Sequence, residues 1–197
     1  MNNTVLVVFV LLAVIIVLVT LRQQRHKCDS KVQFSAKLVQ LFLDHAYWTR
    51  LYVVAALNNL PNLQVTLNQL LQNQTDIGNF LGAVSNDTAF GKTATALLRE
   101  HILIAGQLVS NLVAKGTPDA ALAEAWKTNA TQIAQALSTK VNIPESVLNN
   151  MWQSHLSLTL QQVGSEYSKN YVTALQYFNQ NKQHMYELAL QLAHALS

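Results

Sequence analysis

Three histidines are the residues best placed to do chemistry. His45, His101 and His155 each fall inside an apolar stripe with helical spacing. Each is followed, beyond a turn, by an asparagine, 28 positions on at Asn73 and Asn129 and 26 on at Asn181. Three imidazoles can hold zinc and leave a fourth position open. That requires the segments bearing them to pack round a common axis so that the rings converge. The competing reading is a set of core histidines, each bonded to a carbonyl or hydroxyl, and the sequence favours it. Helical carboxylate–histidine metal motifs place the two side chains three apart, on one face. Here Asp44 and Glu100 directly precede their histidines, about 100° away around a helix. No cofactor is expected. The repeated asparagines have a structural reading too: Asn73 with Asp76, and Asn129 with Gln132, match an N-cap and its N3 partner, restarting a helix after a kink.

Other signatures of catalysis are missing. Gly91-Lys92-Thr93 resembles the end of a phosphate-binding loop, but the glycine required five positions earlier is Asn86 and no strand precedes it. There is no Gly-x-Ser-x-Gly, Cys-x-x-Cys, His-Glu-x-x-His or dinucleotide fingerprint. The single cysteine, Cys28, excludes a disulfide framework. With only His26 beside it and no third group to orient the pair, it makes no credible dyad. An enzyme is not expected.

The elements that would position the histidines are helices throughout, since no useful period-2 alternation occurs. A first stripe runs from Leu38 to Ala56 and breaks at Asn58-Asn59-Leu60-Pro61. A second runs from Leu63 to Leu81, with a loop expected over Gly82–Asn86. A third starts near Gly91 and stops at Lys115-Gly116. Thr117 as N-cap and Pro118 at the first helical position open the fourth. The fifth starts near Pro144, and the last returns after a turn between Gly164 and Asn170. Overlaid, these segments read as one two-helix unit written three times. The expected fold is all-α: an N-terminal transmembrane helix followed by a bundle of three repeated αα-hairpins. Its divisions are an anchor over residues 1–22, a basic linker over 23–37 and the bundle over 38–197.

The anchor is Val5–Leu21, seventeen residues with Thr20 as the only polar side chain. About 17–25 apolar residues cross a bilayer as a helix. Arg22, Arg25, Lys27, Lys31 and Lys37 follow, with Asp29 the only acid among them. Such a flank stays on the cytoplasmic side. A cleaved signal peptide would instead carry a positive start and a small-residue cleavage site, and neither is present. The expected topology is a single-pass protein, N-terminus out, with Arg22, Arg25, Lys27 and Lys31 touching lipid headgroups. Five of the thirteen basic residues lie in this flank. Beyond Leu38, eight Lys and Arg face nine Asp and Glu, so the body is nearly neutral and no nucleic-acid partner is expected.

His45-Ala46-Tyr47-Trp48-Thr49-Arg50, Asn59-Leu60-Pro61, Glu100-His101-Ile102-Leu103-Ile104-Ala105 and Trp126-Lys127-Thr128-Asn129-Ala130-Thr131-Gln132-Ile133-Ala134 recur in order, and Met151-Trp152-Gln153-Ser154-His155 follows them. In these motifs the chain resembles a family of helical bacterial proteins that read H-x-x-W-T-R, E-H-x-x-I-A and W-x-x-N-A-x-x-I-A. The likeness covers roughly Leu38–Ala195. It implies a helical body and no particular activity.

Two functions follow as expectations. The first is a non-enzymatic, membrane-anchored interaction protein. Its charge-poor, Asn- and Gln-rich faces suit a crowded homo- or hetero-oligomeric assembly, such as the lipid-to-capsid tether of a large DNA virus. The second is a helical bundle at a membrane that binds a metal or small ligand through His45, His101 and His155.

Overall fold

The computed structural model describes the backbone of residues 3–196, and the side chains of residues 15–25 and 31–196. Six helices occur among them, and no strand: α1 (Asn3–Leu57), α2 (Leu63–Val84), α3 (Thr88–Lys115), α4 (Ala120–Ser138), α5 (Glu145–Tyr167) and α6 (Tyr171–Leu196). The chain divides into two units, Met1–Lys37 and Leu38–Ser197.

In the first unit, residues 23–37, expected as a linker, are helical and belong to α1. Of the apolar run Val5–Leu21, the side chains of residues 5–14 lie outside those described. Ile15 through Val19 and Leu21 are all exposed, between 49% and 61%. No helix is long and apolar enough to cross a membrane among the described residues, and side chains are described for only the last seven positions of the Val5–Leu21 run.

In the second unit α1, α2, α3 and α5 each end for a local reason. Asn59, Asn86 and Lys169 adopt left-handed backbone (φ 50°, 50° and 63°). In each case the next N–H returns to a carbonyl five residues back: Leu60 to Ala55, Asp87 to Gly82, Asn170 to Ser165, all at 2.9 Å. This left-handed closure satisfies carbonyls the helix end would leave bare. Asn59 therefore stops α1 before Pro61 is reached. Gly116 (φ 71°) closes α3 in a related way, its N–H bonding Leu112 O. The N-cap of α4 is Asp119 rather than Thr117: its Oδ1 accepts from the N–H groups of Ala121 and Leu122 at 3.1 Å. Gly82 is helical, not loop, and α3 begins at Thr88 rather than Gly91.

Those two glycines have another use. Gly91 lies against α2, and a Cβ there would sit 2.9 Å from Gly82 Cα and 3.0 Å from Gly78 O. The backbones of α2 and α3 meet without side chains between them. Gly91 is thus a helix–helix contact, and Gly91-Lys92-Thr93 lies in the first turns of α3 rather than in a phosphate loop.

Apolar residues fill the body in two layers. Phe42, Ile77, Leu81, Phe90, Leu98, Ile133, Leu137 and Trp152 line one, and Tyr52, Val53, Leu70, Ile102, Val109 and Val163 form the other. Along α1, α3 and α5 the histidines fall between them.

Candidate functional site: a buried tri-histidine centre

His45, His101 and His155 are all buried, at 3%, 1% and 2% exposure. Helix propensity does not place a polar ring there. The periodicity does, because each histidine occupies a core position of its stripe. The three rings converge. His45 Nε2 and His155 Nε2 are 3.4 Å apart. Ring centroids of His45 and His155 are 5.4 Å apart, and those of His101 and His155 are 6.0 Å apart and nearly parallel at 27°. Trp126 and Trp152 pack on the cluster, with ring centroids 5.0 and 5.7 Å from that of His101. Trp126 Nε1 also donates to His101 O at 3.0 Å.

The asparagines are the partners of these rings. Asn73 and Asn129 do not cap anything; they lie in the interior of unbroken helices α2 and α4. His101 Nδ1 donates to Asn129 Oδ1 at 2.9 Å, and His155 Nδ1 donates to Asn181 Oδ1 at 2.8 Å. An amide oxygen only accepts, so the proton of each neutral ring is on Nδ1 and Nε2 carries a lone pair. The amides are held in turn. Asn129 Nδ2 donates to Leu97 O and to Glu100 Oε2, and Asn181 Nδ2 donates to Thr159 Oγ1.

The first hairpin differs by one residue. Asn73 Nδ2 donates to Leu41 O, as Asn129 does to Leu97 O. The group facing the imidazole is its neighbour, Gln74, whose Nε2 is 3.0 Å from His45 Nδ1. That nitrogen also reaches Leu70 O and Asn73 Oδ1, so two protons serve three acceptors. With Nδ1 accepting, His45 donates from Nε2 to the Nε2 lone pair of His155.

All three rings are held neutral. Burial is the main cause, and it puts His45 well below the usual imidazole range, with His155 and His101 adding to the effect. His101 is lowered to about 3 by burial and by His155, against the opposing bond to Asn129. His155 is lowered to about 4 by burial, opposed by the bond to Asn181, with His184 adding a smaller push downward.

The cluster borders a cavity of about 20 Å³, lined also by Thr49, Tyr52, Thr159 and Trp126. That volume suits one water-sized occupant and excludes an organic substrate. Two of its lining polar atoms, His101 Nε2 and Thr49 Oγ1, are buried without a hydrogen-bond partner among the described residues, and so is Gln74 Oε1 behind His45. Among the described residues no group of three or more His, Cys, Asp or Glu stands ready to hold a metal ion. The imidazoles meet, but they are not set as a closed ligand shell.

A second polar group was not legible in sequence. Arg50 Nη1 lies 3.8 Å from Glu166 Oε2, whose side chain is 5% exposed, and the guanidinium sits over the Phe178 ring at 5.2 Å. Residues 50 and 166 are too far apart in the chain for spacing to pair them. Gln74 had a signal, since it adjoins the repeated Asn73. Of the residues expected to face lipid, Arg22, Arg25 and Lys31 are exposed; the side chains of Lys27 and Cys28 lie outside those described.

The three histidines, Asn129 and the two tryptophans fall in the sequence motifs quoted above, whereas Gln74 and Asn181 lie outside them. No family model matches the chain, and neither a curated protein nor a solved structure matches it.

Proposed function

We propose that the protein is a non-enzymatic, single-pass membrane protein that displays its helical body to neighbouring proteins. The observation that carries this reading is the Val5–Leu21 run with its basic flank. Where its side chains are described, at residues 15–21, all are exposed and all but Thr20 are apolar. Exposed apolar residues on every side of a helix are unfavourable in water by about 25 cal/mol per Å², and lipid relieves that. The flank of Arg22, Arg25, Lys27, Lys31 and Lys37 keeps the body on the cytosolic side.

Two features support binding over catalysis. The interior cavity is too small for a substrate, and the larger concavities are open surface grooves on α6. One, about 640 Å³, is lined by Asn142, Ile143, Leu190, Gln191, His194 and Ala195; the other, about 510 Å³, by Leu158, Asn179, Gln180, Gln183, His184 and Glu187. Amide-rich, charge-poor grooves suit protein neighbours, and a membrane-to-shell tether of a large DNA virus is one assembly that would use them.

Alkaline extraction of membranes carrying the full chain, followed by cross-linking of intact membranes, tests the reading. The protein is expected in the alkali-resistant pellet and cross-linked to discrete neighbours. Release into the supernatant would remove the anchor. A protein retained in the pellet that never cross-links to a neighbour would remove the interaction role.

A further inference from the structure

We propose that the exposed seam between α1 and α6 is where a neighbouring protein docks, through an amphipathic helix whose apolar stripe is flanked by carboxylates. This rests on the interaction role proposed above and adds to it a face and the chemistry of the partner.

Two contacts define the seam. Toward one end the Tyr47 and Phe178 rings lie 5.5 Å apart, with Lys182 Nζ 5.8 Å from each ring centre. Toward the other, Lys169 Nζ donates to Asn58 Oδ1 at 3.1 Å. Here α1 and α6 therefore run antiparallel, and Leu51 and Leu175 fall between the two contacts. Phe178 is buried, but Tyr47, Leu51, Tyr171 and Leu175 are each between 47% and 52% exposed. Tyr47 and Leu51 are four apart on α1, and Tyr171 and Leu175 are four apart on α6, so each pair shares one helix face. A contiguous exposed apolar patch marks an interaction site where scattered single side chains do not.

The repeat shows that the bundle itself does not need an apolar residue there. Leu51 lies six residues beyond His45. Six residues beyond His101 and His155 stand Gln107 and Gln161, both exposed. The same position of the hairpin is polar in the other two copies, so the leucine of the first answers to something outside the fold.

Charge selects the partner. Beyond Leu38 the body carries eight Lys and Arg against nine Asp and Glu, but the seam is one-sided. Between Tyr167 and Tyr186 there are two lysines, Lys169 and Lys182, and no acid; between His45 and Asn58 there is Arg50 and no acid. Arg50 is held by Glu166. Lys169 and Lys182 make no ion pair among the described residues. They lie thirteen residues apart, about 20 Å along a helix, which a partner helix of about four turns spans. Apolar anchors laid on Tyr47, Leu51, Tyr171 and Leu175 would put carboxylates over the two lysines. Tyrosine is among the side chains that most often carry interface energy, and a two-helix surface without a strand edge accepts a helix rather than an added strand.

The test places p-benzoylphenylalanine at Leu51 or Leu175 of the full chain, with Val65 on α2 and Val113 on α3 as exposed control positions. Intact membranes are irradiated and adducts are sequenced by mass spectrometry. Leu51 and Leu175 should yield adducts to one and the same foreign protein, within an acidic amphipathic segment. The yield should fall about tenfold when Lys169→Glu and Lys182→Glu are combined, in a chain that keeps its helical spectrum. Adducts from Val65 or Val113 alone overturn the seam but leave the interaction role standing; adducts from no position overturn both. Adducts to lipid or to a second copy of this chain, or a yield indifferent to the charge reversal, overturn the acidic partner.

Discussion

Asn129 and Asn181 each take the Nδ1 proton of a buried imidazole, so removing either leaves a buried donor bare. Asn129→Ala and Asn181→Ala should each lower stability by about 1–3 kcal/mol in urea unfolding; a change inside 0.5 kcal/mol would show that the amide does not matter. The same histidines set a pH dependence. Their folded pKa values, about 3 for His101 and about 4 for His155, lie below the unfolded value of 6.5. Above pH 6.5 both states are neutral and nothing changes. As pH falls below 6.5 the unfolded chain takes up protons that the folded one refuses, so stability declines until the folded pKa values are reached. At pH 5 each of these two histidines should have removed about 2 kcal/mol. Urea midpoints that do not move between pH 7.5 and pH 5 would contradict the burial that causes the shift.

Each helix is delimited by a turn or cap of its own, and the helices are brought together by contacts that sequence spacing does not express. Asp119 carries two N–H groups of α4, and Asp119→Ala should cost about 1 kcal/mol. Gly91 allows α2 and α3 to touch backbone to backbone. Gly91→Ala forces them apart, with an expected loss of about 1–3 kcal/mol in thermal or urea unfolding. The Arg50–Glu166 pair joins α1 to α5, beside the His45–His155 bond. Glu166→Ala leaves a largely buried guanidinium uncompensated, at roughly 3 kcal/mol. A loss under 1 kcal/mol would mean that water already screens the pair.

On the proposed function, one apolar segment holds the membrane and one nearly neutral helical body meets its neighbours. Membrane retention should depend on the segment alone. Leu11→Arg with Ile15→Arg places two charges in mid-span, each costing about 2.5–3.5 kcal/mol on insertion. The doubly substituted chain is expected in the soluble fraction, with a far-ultraviolet helical spectrum. If it still pelleted with membranes after alkali, the body would be the part that holds lipid.

The all-helical fold, the six body segments and their turn regions were legible in the chain, because helical periodicity and chain-stopping residues are local properties. So was the recurrence of histidine and asparagine at a near-constant interval. What that interval meant was not. A run such as Asn129-Ala130-Thr131-Gln132 has the pattern of a cap and also of a mid-helix amide, and only the neighbouring helix distinguishes them. Packing α3 beside α4 put His101 Nδ1 2.9 Å from Asn129 Oδ1. The convergence of three rings, the Gly91 contact and the Arg50–Glu166 pair likewise depend on side chains from different helices sharing a small volume. No one-dimensional pattern encodes such proximity; close packing of the bundle creates it.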